Sequence, residues 1–191
     1  MPRSRPDAAL LLIDWINDLE FEGGEKLLPQ ALAAARATAA LRLRAKQAGV
    51  PVIYCNDNFG RWRSDFRALL EHLRNDEVRG RPIAELLMPD ADDYFVLKPK
   101  HSGFHSTSLD VLLEHLGAGT LVLTGIAGNF CVLFTAHDAY MRDLRLLVPR
   151  DCTASEAEAD NRHALEHMAK TCKADTAPSA GIDFARLRKA A

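Results

Sequence analysis

Short continuous apolar runs alternate along this chain with longer segments of helical spacing, and no feature limits the fold more. Ala8–Asp14 reads as a strand covered on both faces, because its apolar residues run without polar alternation. Pro29–Gly49 follows, rich in Ala, Leu and Arg, with Leu32, Ala35, Ala39 and Leu43 at helical spacing and Gly49 as a stop. Val50–Cys55 is a second strand, closed by Asn56, Asp57 and Asn58. Helices are predicted over Ser64–Asn75 and Pro82–Leu87, and Tyr94–Leu97 is the third strand. Ser108–Leu116 is an amphipathic helix stopped by Gly117, and Thr120–Thr124 is the fourth strand. A helix over Asn129–Met141, a strand over Leu144–Val148 and a helix over Ser155–Thr171 capped by Ser155 follow, with a short strand near Ala174. The alternation predicts an α/β fold with a mainly parallel sheet between helices. No repeat or Pro/Gly/Ser-rich linker interrupts it, and 191 residues are about one domain's worth, so 1–191 is expected to be a single domain.

Composition narrows the function classes. At 48% hydrophobic and 26% charged residues the chain is ordinary globular material, not a disordered one. Its net charge of -2 gives no global pull toward nucleic acid or an acidic membrane, and a small-molecule substrate is the expected partner. The apolar run Ala8–Ile13 is too short for a signal segment or a membrane span, so a cytoplasmic location is expected. Four cysteines without a CxxC pair suit a reducing compartment, where one thiol can be chemical.

Ligands of open parallel sheets bind beyond the carboxyl ends of the strands. Those ends carry Asp14, Asn56 and Asp57, Lys98, the run Thr124-Gly-Ile-Ala-Gly-Asn-Phe-Cys131, and Arg150-Asp151-Cys152. Cys131 falls at a predicted helix start, where partial positive charge and free N–H groups favour a thiolate and can hold an oxyanion. The blander alternatives are a small core thiol, a hydrogen-bonded buried Asp14 and a solvated strand-end Lys98. Together, though, a carboxylate, an ammonium and a thiol make a coherent set for nucleophilic catalysis.

Competing motifs fail. A Cys-x5-Arg loop would need arginine at His137, and no P-loop, complete GxGxxG or Gly-x-Ser-x-Gly occurs. The pairs His101/His105 and His163/His167 have weak metal-ligand spacing. The loop Asn58-Phe-Gly-Arg-Trp-Arg63 reads either as a lid whose arginines recognise an anion or as an ordinary loop. Trp62 is read first as a packing anchor that also lines the pocket in part.

The chain resembles the isochorismatase-like cysteine hydrolases over nearly its whole length. The matching pieces are Leu11-Leu-Ile-Asp14 with Asn17-Asp18; Lys98-Pro-Lys-His-Ser-Gly-Phe104 with Thr107 and Leu109-Asp110; and Thr124-Gly125 with Cys131-Val132 and Thr135-Ala-His-Asp-Ala139. The resemblance implies a three-layer fold with a mainly parallel six-stranded sheet flanked by helices. It implies an Asp14–Lys98–Cys131 triad, with Asp14 as general base, Cys131 as nucleophile and Lys98 orienting them. It also implies a non-proline cis peptide at Ile126–Ala127, with the N–H groups of Ala127 and Cys131 facing an oxyanion. Asn17, Asn58, Phe59, Trp62, Asn129 and Phe130 are assigned to the substrate pocket, although Asn129-Phe130 replaces the family's more usual Thr-x-x before the cysteine. Family members are commonly oligomers, so a homo-oligomer is expected.

Departures from the family pattern sharpen the expectation. Nicotinamidases of this family hold a metal through histidines after strand two, and Tyr54–Phe66 contains none, so no cofactor is expected. Isochorismatases proper cleave a vinyl ether and lack the nucleophilic cysteine. Retention of Cys131 therefore points to a C–N bond of an amide, carbamoyl or imide-like molecule, cleaved through a thioester, with Asp14 also activating the hydrolytic water. The alternatives are vinyl-ether hydrolysis driven by Asp14 and a non-catalytic protein that kept the fold.

Overall fold

A computed structural model describes residues 7–57, 66–75 and 77–187. Six strands form one sheet: β1 (Ala8–Ile13), β2 (Val52–Asp57), β3 (Tyr94–Lys98), β4 (Thr120–Ile126), β5 (Arg145–Leu147) and β6 (Thr153–Ala154). The order is β3-β2-β1-β4-β5, with β6 also on β4, and every pair is parallel. The helices are α1 (Gly24–Gln47), α2 (Phe66–Asn75), α3 (Arg81–Leu86), α4 (Leu109–Leu116), α5 (Leu133–Tyr140) and α6 (Glu158–Thr171). Among the described residues no helix is long and apolar enough to cross a membrane.

The uninterrupted apolar run of β1 is explained by its central place. Successive strand side chains point to opposite faces, and β1 divides accordingly. Ala8, Leu10 and Leu12 join one core with Leu27, Ala31, Ala35 and Leu41 of α1. Ala9, Leu11 and Ile13 join a second with Leu109 and Leu113 of α4, Ala136 of α5 and Met168 of α6. Neither face of β1 meets water, so both sets must be apolar.

Three expectations are corrected here. The sixth strand is Thr153–Ala154, not a segment near Ala174; there only an isolated bridge, Leu147 to Asp175, forms. Two residues carry too little periodicity to be seen in sequence. The long first helix begins at Gly24 and holds Pro29 inside it, five residues ahead of the start that the sequence predicts at the proline. The last helix begins at Glu158, and Ser155 instead accepts the Asn129 N–H at 3.2 Å.

The segment after β4 also differs. Gly128–Val132 is one π-helical turn, and only from Leu133 does the chain become α-helical. The Ala127 carbonyl accepts from Phe130 N–H at 3.0 Å and from Val132 N–H at 3.3 Å, which gives the wide turn.

The chain runs outward from β1 to β3 on one side and from β4 to β5 on the other. The switch between the two directions falls between β1 and β4, the position where such sheets open a crevice. Gly125 sits there opposite Ile13 with φ 149°, and a Cβ on it would collide with the Ile13 carbonyl oxygen. Gly125→Ala is therefore expected to lower the unfolding free energy by about 2 kcal/mol or more. Urea denaturation checks this, and an unchanged midpoint would count against the steric account.

Candidate active site

Three of the sequence-predicted side chains meet at the carboxyl edge of the sheet. Asp14 follows β1 directly, in a left-handed backbone conformation (φ 54°), with its N–H donating to the Cys55 carbonyl at 3.0 Å. Its Oδ1 accepts the Asp57 N–H at 2.7 Å. Lys98 ends β3 and is wholly buried. Its Nζ lies 2.8 Å from Asp14 Oδ2, 3.5 Å from Asp57 Oδ2 and 3.4 Å from Cys131 Sγ. Cys131 stands in the π turn, half-buried, with its thiol electrostatically coupled to the Asp14 carboxyl.

Burial governs the charges. It pushes the Asp14 carboxyl up, and Lys98 with the hydrogen bonds from Cys131 and Asp57 pulls back only in part. For Lys98 burial opposes the ammonium, yet the attraction of Asp14, then Cys131 and Asp57, outweighs it and holds the group above the usual lysine range. Burial and then Asp14 push the Cys131 thiol up, against the pull of Lys98. This corrects the expectation that a helix start alone would favour a thiolate. With the thiol pushed up, its ionisation calls for a base, and the Asp14 carboxyl is the acidic group coupled to it.

The thiol opens into a cleft of about 450 Å³ whose walls include Phe21, Leu27, Ile126, Ala127 and Phe130. The Ile126–Ala127 peptide is cis. Asn17 also lines the cleft, with its Oδ1 accepting the Leu19 N–H at 2.8 Å. Asn129 is not among the lining residues, and its backbone N–H donates to Ser155 Oγ at 3.2 Å. Asn58, Phe59 and Trp62, with the arginines of their loop, lie outside the described residues. Other clefts of similar size, about 420 and 490 Å³, are lined by no cysteine.

Sequence reasoning missed three groups. Asp57 was noted as a strand end without a role, although the β2–β3 register sets it beside Lys98. Glu156 lines the cleft from the segment after β6, a strand that was not seen. His101 was weighed only as a metal ligand with His105, yet its Nδ1 lies 3.8 Å from Cys131 Sγ. His167, of the other pair, packs against His137 with ring centroids 5.2 Å apart. Asp90, Asp92 and Asp93 cluster closely, but Lys46 bridges all three at 2.7 to 2.9 Å and Arg42 adds a second cation.

The Ser102-Gly103-Phe104 piece docks the loop after β3 on α5. Gly103 N–H donates to Thr135 Oγ1 at 3.0 Å, and that hydroxyl donates to the Cys131 carbonyl at 2.7 Å. Ser102 Oγ bonds the Asp138 carboxylate.

Comparison with known proteins gives a consistent picture. The Isochorismatase domain family model matches residues 8–178. The chain is 42% identical over 165 residues to the uncharacterized isochorismatase family protein YaaI of Bacillus subtilis, covering 86% of this chain and 90% of that one. It is 28% identical over 179 residues to maleamate amidohydrolase of Pseudomonas putida, covering 88% and 79% of the two chains. Among solved structures, N-carbamoylsarcosine amidase from Thermoplasma acidophilum superposes with a TM-score of 0.73 at 26% identity, covering 92% of this chain and 98% of that chain.

Removing one partner of a buried ion pair strands the other charge. Lys98→Met is expected to cost about 3–5 kcal/mol of stability. Lys98→Met with Asp14→Asn should recover much of that loss, since asparagine tolerates positive φ and still accepts the Asp57 N–H. Chemical denaturation of the two variants reads the difference, and equal losses would contradict the ion-pair account.

Proposed function

The chain belongs to the isochorismatase family, and from that premise we propose that it is a cysteine hydrolase that cleaves a C–N bond of a small amide or carbamoyl compound. The observation that carries the proposal is the contact set at the cleft: Lys98 Nζ within reach of both Asp14 Oδ2 and Cys131 Sγ, with the carboxyl and the thiol lining the same opening. Similarity to a maleamate amidohydrolase and an N-carbamoylsarcosine amidase, both named for amide chemistry, supports the bond type.

In the first half-reaction Asp14 takes the Cys131 proton as Sγ attacks the substrate carbonyl. The C–N bond then breaks, the proton on Asp14 passes to the departing nitrogen, and ammonia or an amine leaves. A thioester remains on Cys131, and water converts it to a carboxylic acid and the free thiol. N–H groups near Ala127 and Cys131 would stabilise the oxyanion of each tetrahedral intermediate. The proton transfer conserves charge. Before it, Asp14 is negative and Cys131 neutral; after it, the reverse holds, so the pair presents one negative charge to Lys98 either way, beside the constant Asp57. A buried ammonium suits this task because its interaction with either anion is weakly screened.

A second reading draws on the raised Asp14 carboxyl, which could protonate a vinyl ether with Cys131 incidental. Iodoacetamide separates the two: alkylation of Cys131 must stop amide cleavage, whereas Asp14-driven protonation survives it unless the adduct fills the cleft.

Two outcomes are expected. Cys131→Ala should lower kcat/KM by at least about 10³-fold in an ammonia-release assay on small amides, maleamate and N-carbamoylsarcosine included, with an unchanged Tm. Retained activity would remove the mechanism. The pH profile carries the second. As pH falls through the raised Asp14 value, the carboxylate is protonated and can no longer accept the thiol proton. The acid limb of kcat/KM should therefore lie above the usual aspartate range of about 4. A limb at or below that range would contradict Asp14 as the base.

A further inference from the structure

The turn that carries the nucleophile rests on a pair of side chains for which the reaction scheme has no use so far. β6 pairs with β4 through Gly125–Thr153 and Ile126–Ala154, so the two strands leave the sheet side by side. Ala127 follows β4 and opens the π turn, and Ser155 follows β6. Ser155 Oγ accepts the Asn129 N–H at 3.2 Å and donates to Asn161 Oδ1, on α6, at 3.3 Å. Asn161 Nδ2 donates to the Thr153 carbonyl and to Thr153 Oγ1, both at 3.3 Å. These bonds orient the amide, with its oxygen toward Ser155.

The turn lies directly on that amide. A Cβ on Gly128 would collide with Asn161 Oδ1, so the backbone approaches closely because glycine stands there. Ser155 is buried, and its hydroxyl both accepts from the turn and donates to α6. Neither Ser155 nor Asn161 lines the cleft at the thiol; both line the separate one of about 490 Å³. The residues they hold, Gly128 and Asn129, lie between Ala127 and Cys131, whose N–H groups are the oxyanion donors of the mechanism above. Two donors stabilise an oxyanion only when they converge on one point, and a misplacement of about 1 Å can cost about 10²-fold in rate.

Resting on the cysteine-hydrolase reading, we propose that Asn161 is a positioning residue for the oxyanion site, acting through Ser155. The relay fixes the first half of the π turn and with it the direction of both N–H groups. The thiol keeps its own partners without the relay, because Asp14 and Lys98 come from the ends of β1 and β3. Loss of the relay therefore weakens attack on a carbonyl and leaves the displacement chemistry of the sulfur unchanged.

Two reagents at Cys131 separate these effects. p-Nitrophenyl acetate is attacked at its carbonyl, passes through an oxyanion, releases p-nitrophenolate and leaves an acetyl thioester. Iodoethane is attacked at a saturated carbon, loses iodide and develops no oxyanion. Asn161→Leu and Ser155→Ala are each expected to slow the p-nitrophenolate burst by about 10-fold to 10²-fold. Ethylation should stay within about twofold of the wild-type rate. The double variant should be no slower than the slower single one, as members of one relay require. Intact mass checks the fold in the same samples: a folded chain takes one ethyl group, because Cys55, Cys152 and Cys172 are buried. Ser155→Ala removes one oxygen and adds no bulk, so it carries the test if Asn161→Leu takes up more than one. Bursts at the wild-type rate would overturn the proposal. Equal slowing of burst and ethylation would overturn it too, as would losses that multiply in the double variant. A wild-type protein that gives no burst and no acetyl adduct overturns the cysteine-hydrolase reading itself, before any variant is made.

Discussion

A fully buried ammonium organises this molecule. Withdrawing Lys98 from water would be prohibitive without compensation, and the compensation is specific: Asp14 at 2.8 Å, Asp57 at 3.5 Å and the thiol of Cys131 at 3.4 Å. Those partners come from the ends of β1 and β2 and from the turn after β4, so one charge ties separate parts of the sheet together. Asp14, its nearest partner, stands in a left-handed backbone conformation directly after β1.

The sheet makes that gathering possible. All pairs are parallel, so every strand delivers its carboxyl end to the same edge. The switch between β1 and β4 leaves a gap there, and Gly125 lets the two strands close tightly beneath it. Residues far apart in sequence reach one cleft because of strand direction and order.

Much of this was legible in the residues. The apolar runs of β1, β2 and β4 are strong signals because strands buried on both faces tolerate nothing else, and the polar residue closing such a run stands out. Asp14 and Lys98 were visible for that reason. Thr153–Ala154 was not, since two residues have no period, and the Glu156 wall was lost with it. The π turn of Gly128–Val132 was hidden as well, since its residues read as the start of an ordinary helix. The direction of the Cys131 shift was hidden too. Local position suggested a helix start, while burial and a facing carboxylate, both tertiary effects, decide it. His101 looked like half of a metal pair because spacing to His105 is linear information, whereas its approach to the thiol depends on how the loop docks.

That docking has a mechanical side. Thr135 uses one hydroxyl in both directions, receiving from the loop after β3 and donating to the turn after β4. The two segments therefore form one stiff jaw, with the sulfur and the imidazole mounted on it as fixed tools. Phe21, Leu27 and Glu156, carried by other segments, line the rest of the opening. The walls that those segments supply can be reshaped while the mounting of the sulfur stays as it is.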